Sequence, residues 1–155
     1  MAISGGEPEG RDTLGSLEAE VEAAEYLEQT FLLSVPPSTN ALYMTDRKAN
    51  RRFKTPKYTK WQTQAGWELM GQKPRPTQGD VTVEIRVAEE EVIFKNGSKK
   101  RDLDNMLKAL LDLLVLHRVI EDDRYIKKLS IERWESKDLS GVSVTVLGKR
   151  NRGLR

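Results

Sequence analysis

The run from Leu103 to Leu114 constrains this chain more than any other stretch, because it joins helical periodicity to an unusual charge pattern. Leu103, Met106, Leu107, Leu110, Leu111 and Leu114 recur at three- and four-residue spacing, which predicts a helix with one apolar face. Asp104, Lys108 and Asp112 then share the opposite, polar face. Ahead of the helix stand Lys99, Lys100, Arg101 and Asp102, and a second acidic group, Glu121-Asp122-Asp123, follows it.

Asp102 and Asp104 cannot meet inside one helix, since residues two apart diverge by about 200° at 3.6 residues per turn. They converge only if Asp102 lies in extended backbone at or before the N-cap while Asp104 occupies the first turn. The same residues also suit a plain helix start. In that reading Asp102 caps the helix, Asp104 favours its dipole and Lys108 is an ion-pair partner one turn on. The second acidic group favours a site.

Other chemistries are narrowed by what is scarce. The chain has 155 residues, enough for one domain with an ordinary core. It has no cysteine and a single histidine, His117. Disulfides, zinc–thiolate sites and thiol nucleophiles are excluded, and any metal must be held by oxygen, which points to Mg²⁺ or Mn²⁺. His117, at the predicted helix end, suits the C-terminal dipole better than a ligand role. No apolar run reaches membrane-spanning length and no signal-peptide pattern opens the chain, so a cytoplasmic protein without a membrane partner is expected.

Charge is unevenly spread. Residues 1–30 hold eight acids and one base, which leaves 25 bases against 16 acids in the rest. A basic body suits a polyanionic partner. The acidic leader is either a solubilising tail or a mimic that shields a basic groove.

Along the chain, residues 1–15 read as a loose leader and Ser16–Gln29 as a helix by propensity. Thr30–Val35 reads as a first strand closed by Pro36-Pro37, and Ser38–Tyr43 as a turn segment. The block from Arg47 to Lys60 carries Arg51, Arg52, Lys54 and Lys57 with Phe53, Tyr58 and Trp61 interleaved and no acid. Such a block suits either a phosphate-tracking, base-stacking surface or a solvated approach to a helix. Tyr58–Met70 is that helix, with Trp61 and Trp67 expected to pack and Gly71 as its stop. Val81–Val87 alternates as a half-buried strand, and Val92-Ile93-Phe94 is expected to extend the sheet. Tyr125–Trp134 and Val142–Leu147 complete it. The expected fold is α+β, a small mixed sheet with two main helices in the order β-α-β-α-β-β. It comprises an acidic extension over 1–29, a domain over 30–148 and a basic tail over 149–155.

Three neighbouring carboxylates repel one another unless a cation neutralises them. Asp102, Asp104 and Asp123 could therefore hold Mg²⁺, which would offset charge on a scissile phosphate and acidify water. Lys108 could stabilise developing charge, and Lys99, Lys100 and Arg101 could hold the substrate backbone. Metal-dependent phosphodiester hydrolysis uses every part.

The order Val35-Pro36-Pro37-Ser38-Thr39-Asn40, then Arg101-Asp102-Leu103-Asp104-Asn105-Met106-Leu107-Lys108, then Asp122-Asp123, resembles the RusA family of Holliday junction resolvases. The likeness covers about residues 30–148. It implies a homodimer, bacterial or phage-encoded, that binds four-way DNA junctions and cuts two strands with Mg²⁺. It also implies metal-binding carboxylates at Asp102, Asp104 and Asp123, with Asp122 ranked lower, a catalytic lysine at Lys108, and Asn40 near the site or the DNA. The chain departs from the family pattern in having Arg118 where a glycine often follows the central helix. The rival readings are a non-catalytic nucleic-acid-binding module and a related nuclease acting on forks or flaps.

Overall fold

The computed structural model describes residues 15–17 and 25–153. Eight elements of regular length build it: β1 (Tyr26–Leu33), β2 (Tyr43–Asp46), β3 (Arg51–Lys54), α1 (Pro56–Gly71), β4 (Thr77–Ala88), α2 (Leu107–Leu116), β5 (Ile126–Trp134) and β6 (Val142–Arg150). The main sheet has the order β1-β6-β4-β5, antiparallel except for the β4–β5 pair, and both helices serve it. The expected α+β order is present in this sheet. A second, two-stranded sheet formed by β2 and β3 is additional.

Alternation explains the layering. Val81, Val83, Ile85 and Val87 of β4 are buried, as are Val142, Val144 and Val146 of β6 and Phe31 and Leu33 of β1. Against this face pack Tyr58, Trp61, Ala65 and Leu69 of α1 and Ala109, Leu110, Leu113 and Leu114 of α2. Helix α1 starts where Thr55 Oγ1 accepts a bond from the Tyr58 N–H at 3.2 Å, with Pro56 in its first turn. Trp61 packs as expected, but Trp67 does not: it is 79% exposed, on the solvent side of α1.

Several boundaries differ from expectation, each for a tertiary reason. Residues 15–17 and Glu25 are helical and 18–24 lie outside the described residues, but Tyr26–Gln29 belong to β1 rather than to a leader helix. Pairing with β6, Tyr26 opposite Lys149 through Leu33 opposite Val142, outweighs the helical propensity of that stretch. Lys149 and Arg150 are accordingly strand, paired with β1 and β4, and not tail. Val92-Ile93-Phe94 does not extend the sheet. A short turn, Glu89–Glu91, is followed by a single bridge between Ile93 and Lys99. The β2–β3 hairpin has no apolar alternation to announce it. Its turn is made by Asp46 Oδ1, which accepts bonds from the N–H groups of Lys48 and Ala49, and by Asn50 at φ 47°.

The end of α2 explains how Arg118 replaces glycine. Arg118 adopts φ 58°, its N–H donates to Val115 O at 3.1 Å, and the Val119 N–H donates to Leu114 O at 2.9 Å. This is a Schellman cap with arginine in the left-handed position. Arg118→Gly should therefore stabilise the fold by about 0.5–1 kcal/mol, by removing the Cβ cost of that conformation. Chemical denaturation checks this, and a loss of stability would contradict it.

Candidate active site

Two short segments meet where the sequence placed its motifs. Pro36 and Pro37 are buried after β1 and lead into a 3-10 turn, Thr39–Ala41, which packs against α2 and against the 3-10 turn Leu103–Met106. Thr39 Oγ1 donates to Asn105 O at 2.8 Å, and Arg101 Nη1 donates to Pro36 O at 2.9 Å. The early motif thus fixes the backbone on both sides of Asp102. Asn40 lies exposed on the same turn.

Asp102 has the geometry that convergence requires. Its backbone is extended, φ −86° and ψ 141°, and Asp104 sits in the first turn that follows. The Asp102 side chain makes no capping bond although it stands at the N-cap. A carboxylate placed at a cap but not capping is available for something else. Asp102 and Asp104 are both exposed, and neither joins an ion pair among the described residues.

The second acidic group divides its labour. Asp122 Oδ1 accepts the Arg124 N–H at 3.0 Å, and its other oxygen lies 3.8 Å from Arg124 Nε. The Arg124 backbone bond, and then the Asp123 side chain, hold the Asp122 carboxyl below its ordinary range. Asp122 is thus the cap of the turn Asp123–Tyr125, which packs against α2 and the β4 strand. Asp123, exposed and in the first turn, carries no such duty.

Among the described residues, no three carboxylates are gathered closely enough to enclose a metal, so Asp102, Asp104 and Asp123 do not form a closed cluster in a single chain. Their donor chemistry nevertheless fits a hard divalent cation, being carboxylate oxygens open to solvent and in no ion pair among the described residues. Lys108 forms no ion pair with Asp104. It pairs with Asp112 at 3.3 Å, one turn on, with the lysine side chain 49% exposed. A solvated pair of this kind contributes about 0.3–0.5 kcal/mol, so an incoming phosphate can draw Lys108 away.

The basic residues fall into two groups beside this surface. Arg51, Arg52 and Lys54 lie on β3 and Lys57 at the start of α1, all exposed, on the hairpin that follows directly from the Thr39–Ala41 turn. Arg52 stacks over Tyr43 at 4.2 Å, and Lys54 Nζ donates to Gln62 Oε1 at 2.9 Å. Lys99 and Lys100 are exposed on the loop before Asp102, whereas Arg101 is half-buried and anchors Pro36. Arg101 thus builds the site more than it offers itself to a ligand. Met44 and Phe53, cross-strand partners on the hairpin, are 52% and 42% exposed. An isolated methionine gave no signal in the sequence; only its register opposite Phe53 makes an apolar patch among the bases. His117 abuts Gly66 of α1, where an added Cβ would meet its Nε2 at 2.8 Å, and so packs the two helices together.

The chain resembles known proteins over most of its length. The family model described as Endodeoxyribonuclease RusA matches residues 34–147. A curated relative, the crossover junction endodeoxyribonuclease RusA of Aquifex aeolicus (strain VF5), is 28% identical over 118 residues, covering 76% of this chain and 89% of the relative. The matched span begins before the Pro36-Pro37 turn, runs through Asp102, Asp104 and Asp123, and ends within β6. On these grounds the chain belongs to the RusA family of endodeoxyribonucleases.

Proposed function

We propose that this endodeoxyribonuclease resolves Holliday junctions, cutting two strands of a four-way DNA junction as a homodimer in the presence of Mg²⁺, with Mn²⁺ as a substitute. The uncapped Asp102, held in extended backbone by the Pro36–Thr39 segment on one side and followed by Asp104, is the observation that carries this reading. Asp102, Asp104 and Asp123 would hold the cation, which supplies positive charge against the scissile phosphate and acidifies water. Lys108 leaves Asp112 to meet charge developing on the phosphate. Asn40, exposed on the turn that packs against Leu103–Met106, contacts the DNA, while Arg51, Arg52, Lys54, Lys57, Lys99 and Lys100 hold the phosphates of the arms and Arg101 supports the segment from behind. None of the described helices is long and apolar enough to cross a membrane. The expected setting is the cytoplasm of a bacterium, or of one infected by a phage that encodes the chain. The nuclease domain takes in residues 26–150, the expected 30–148 widened by the ends of β1 and β6, with the residues before it as an acidic extension.

Cleavage of a mobile four-way junction, a replication fork and a linear duplex of equal length tests the substrate. The junction should be cut at least about tenfold faster than the others, a preference worth about 1.4 kcal/mol in transition-state terms. Equal rates on all three would sink junction selectivity and leave a nuclease of broader range.

A further inference from the structure

The β2–β3 hairpin has two unlike faces. Its register puts Tyr43 and Thr45 with Arg52 and Lys54 on one of them, and Met44 and Asp46 with Phe53 and Arg51 on the other. The first face is tied to the body. Tyr43 meets the buried Tyr58 ring edge-on at 5.7 Å, Arg52 lies over Tyr43, and Lys54 Nζ bonds Gln62 of α1. Where β3 ends, Thr55 donates through its N–H to Leu42 O at 2.9 Å and through Oγ1 to Ala41 O at 2.6 Å.

The second face stands away from the body and carries Met44 directly opposite Phe53, both exposed. Of the three aromatic side chains interleaved with cationic ones between residues 47 and 61, Tyr58 and Trp61 are buried in the core. Only Phe53 is open to a ligand.

Charge says what kind of group fits there. Residues 47–60 carry seven lysines and arginines and no acid. Asp46, the one acid of the hairpin, turns its Oδ1 to the N–H groups of Lys48 and Ala49. A second copy of the chain on this face would set like charges against each other. A nucleobase answers both features, because its flat face stacks on an aromatic ring while the neighbouring phosphates meet the cations. Inside a linear duplex each base face is taken by the next base pair. At a branch point that stack is interrupted and a face is open.

We propose that Phe53, flanked by Met44, stacks on a nucleobase at the branch point of the DNA, and that this contact separates a branched substrate from linear duplex. The inference rests on the junction reading and adds the group that senses the branch. The hairpin follows directly from the Thr39–Ala41 turn, which packs against the turn carrying Asp104. DNA held by Phe53 is thereby brought to the acids.

Phe53→Thr removes the ring but keeps a residue that strands favour, and Phe53→Tyr keeps the ring. Binding of the full-length chains to a four-way junction and to a linear duplex, in excess chelator, is the measurement. Phe53→Thr should weaken junction binding at least about tenfold and leave duplex binding within about twofold, while Phe53→Tyr should match wild type on both. Arg51→Gln, a phosphate contact on the same face, should weaken both DNAs alike. With 5-iodouracil at the branch point, irradiation should crosslink wild type and Phe53→Tyr to the junction and spare Phe53→Thr. Wild type that binds the junction no tighter than the duplex overturns the junction reading and this inference with it. Wild type that prefers the junction, with Phe53→Thr keeping that preference or crosslinking equally, overturns the inference alone.

Discussion

Asp102→Asn should lower the rate of junction cleavage at least about a hundredfold while junction affinity stays within about threefold of wild type. The substitution keeps the shape of the side chain and removes a charge that no capping bond or ion pair uses. Stability should hardly change, because the side chain is exposed and the backbone around it is held by Arg101 and Thr39. If the acids served only to start a helix, cleavage would survive the change. Cutting at the wild-type rate would remove Asp102 from the site. Joint loss of affinity and cutting would point to a binding role instead.

The pair Asp122 and Asp123 gives the second contrast, between neighbours of identical chemistry. Asp123→Asn should cost cleavage on the scale of Asp102→Asn, at least about a hundredfold, with binding retained. Asp122→Asn should leave cleavage within about threefold, because asparagine can still accept the Arg124 N–H through its side-chain oxygen. A pH profile of stability reports on Asp122 alone. The lowered Asp122 carboxyl keeps its charge to more acid pH than an ordinary aspartate. Its contribution to the turn is therefore present above the ordinary carboxylate range and lost only as pH falls through the depressed value. Single-turnover cleavage of both variants on one junction is the measurement; equal losses would show that the two acids act together.

Much of this arrangement is written in the sequence in a form that periodicity can read. The α2 core face from Met106 to Leu114 and the alternation of β4 are strong signals because each buries one face against a single partner layer. Asp102 is legible for a related reason: two acids one residue apart demand a break in backbone conformation, and the break is there. What sequence could not show depends on contacts between distant segments. Tyr26–Gln29 is strand only because β6 offers a partner, and Glu25 and Glu28 tilt local propensity toward helix. The β2–β3 hairpin is exposed on every residue of β3, so no apolar rhythm marks it. Trp67 was expected to pack, yet its position on α1 faces solvent. Lys108 was placed beside Asp104 by helical spacing, which serves Asp112 equally well, and Asp112 is the partner it takes.

The division between Asp122 and Asp123 shows the same limit at finer scale. Spacing cannot tell which of two adjacent acids caps a turn, since either carboxylate could accept the Arg124 N–H. The structure gives that bond to Asp122. The proposed metal role then goes to the acid left without one, which is the assignment the family resemblance also implies.

Metal-dependent hydrolysis at Asp102, Asp104 and Asp123 is the central claim, and junction cleavage measured across a Mg²⁺ titration tests it most directly. Cleavage should be absent in excess chelator, rise to saturation as Mg²⁺ is added, and return in full when the chelated enzyme is resupplied. Cleavage at an undiminished rate in excess chelator would contradict it.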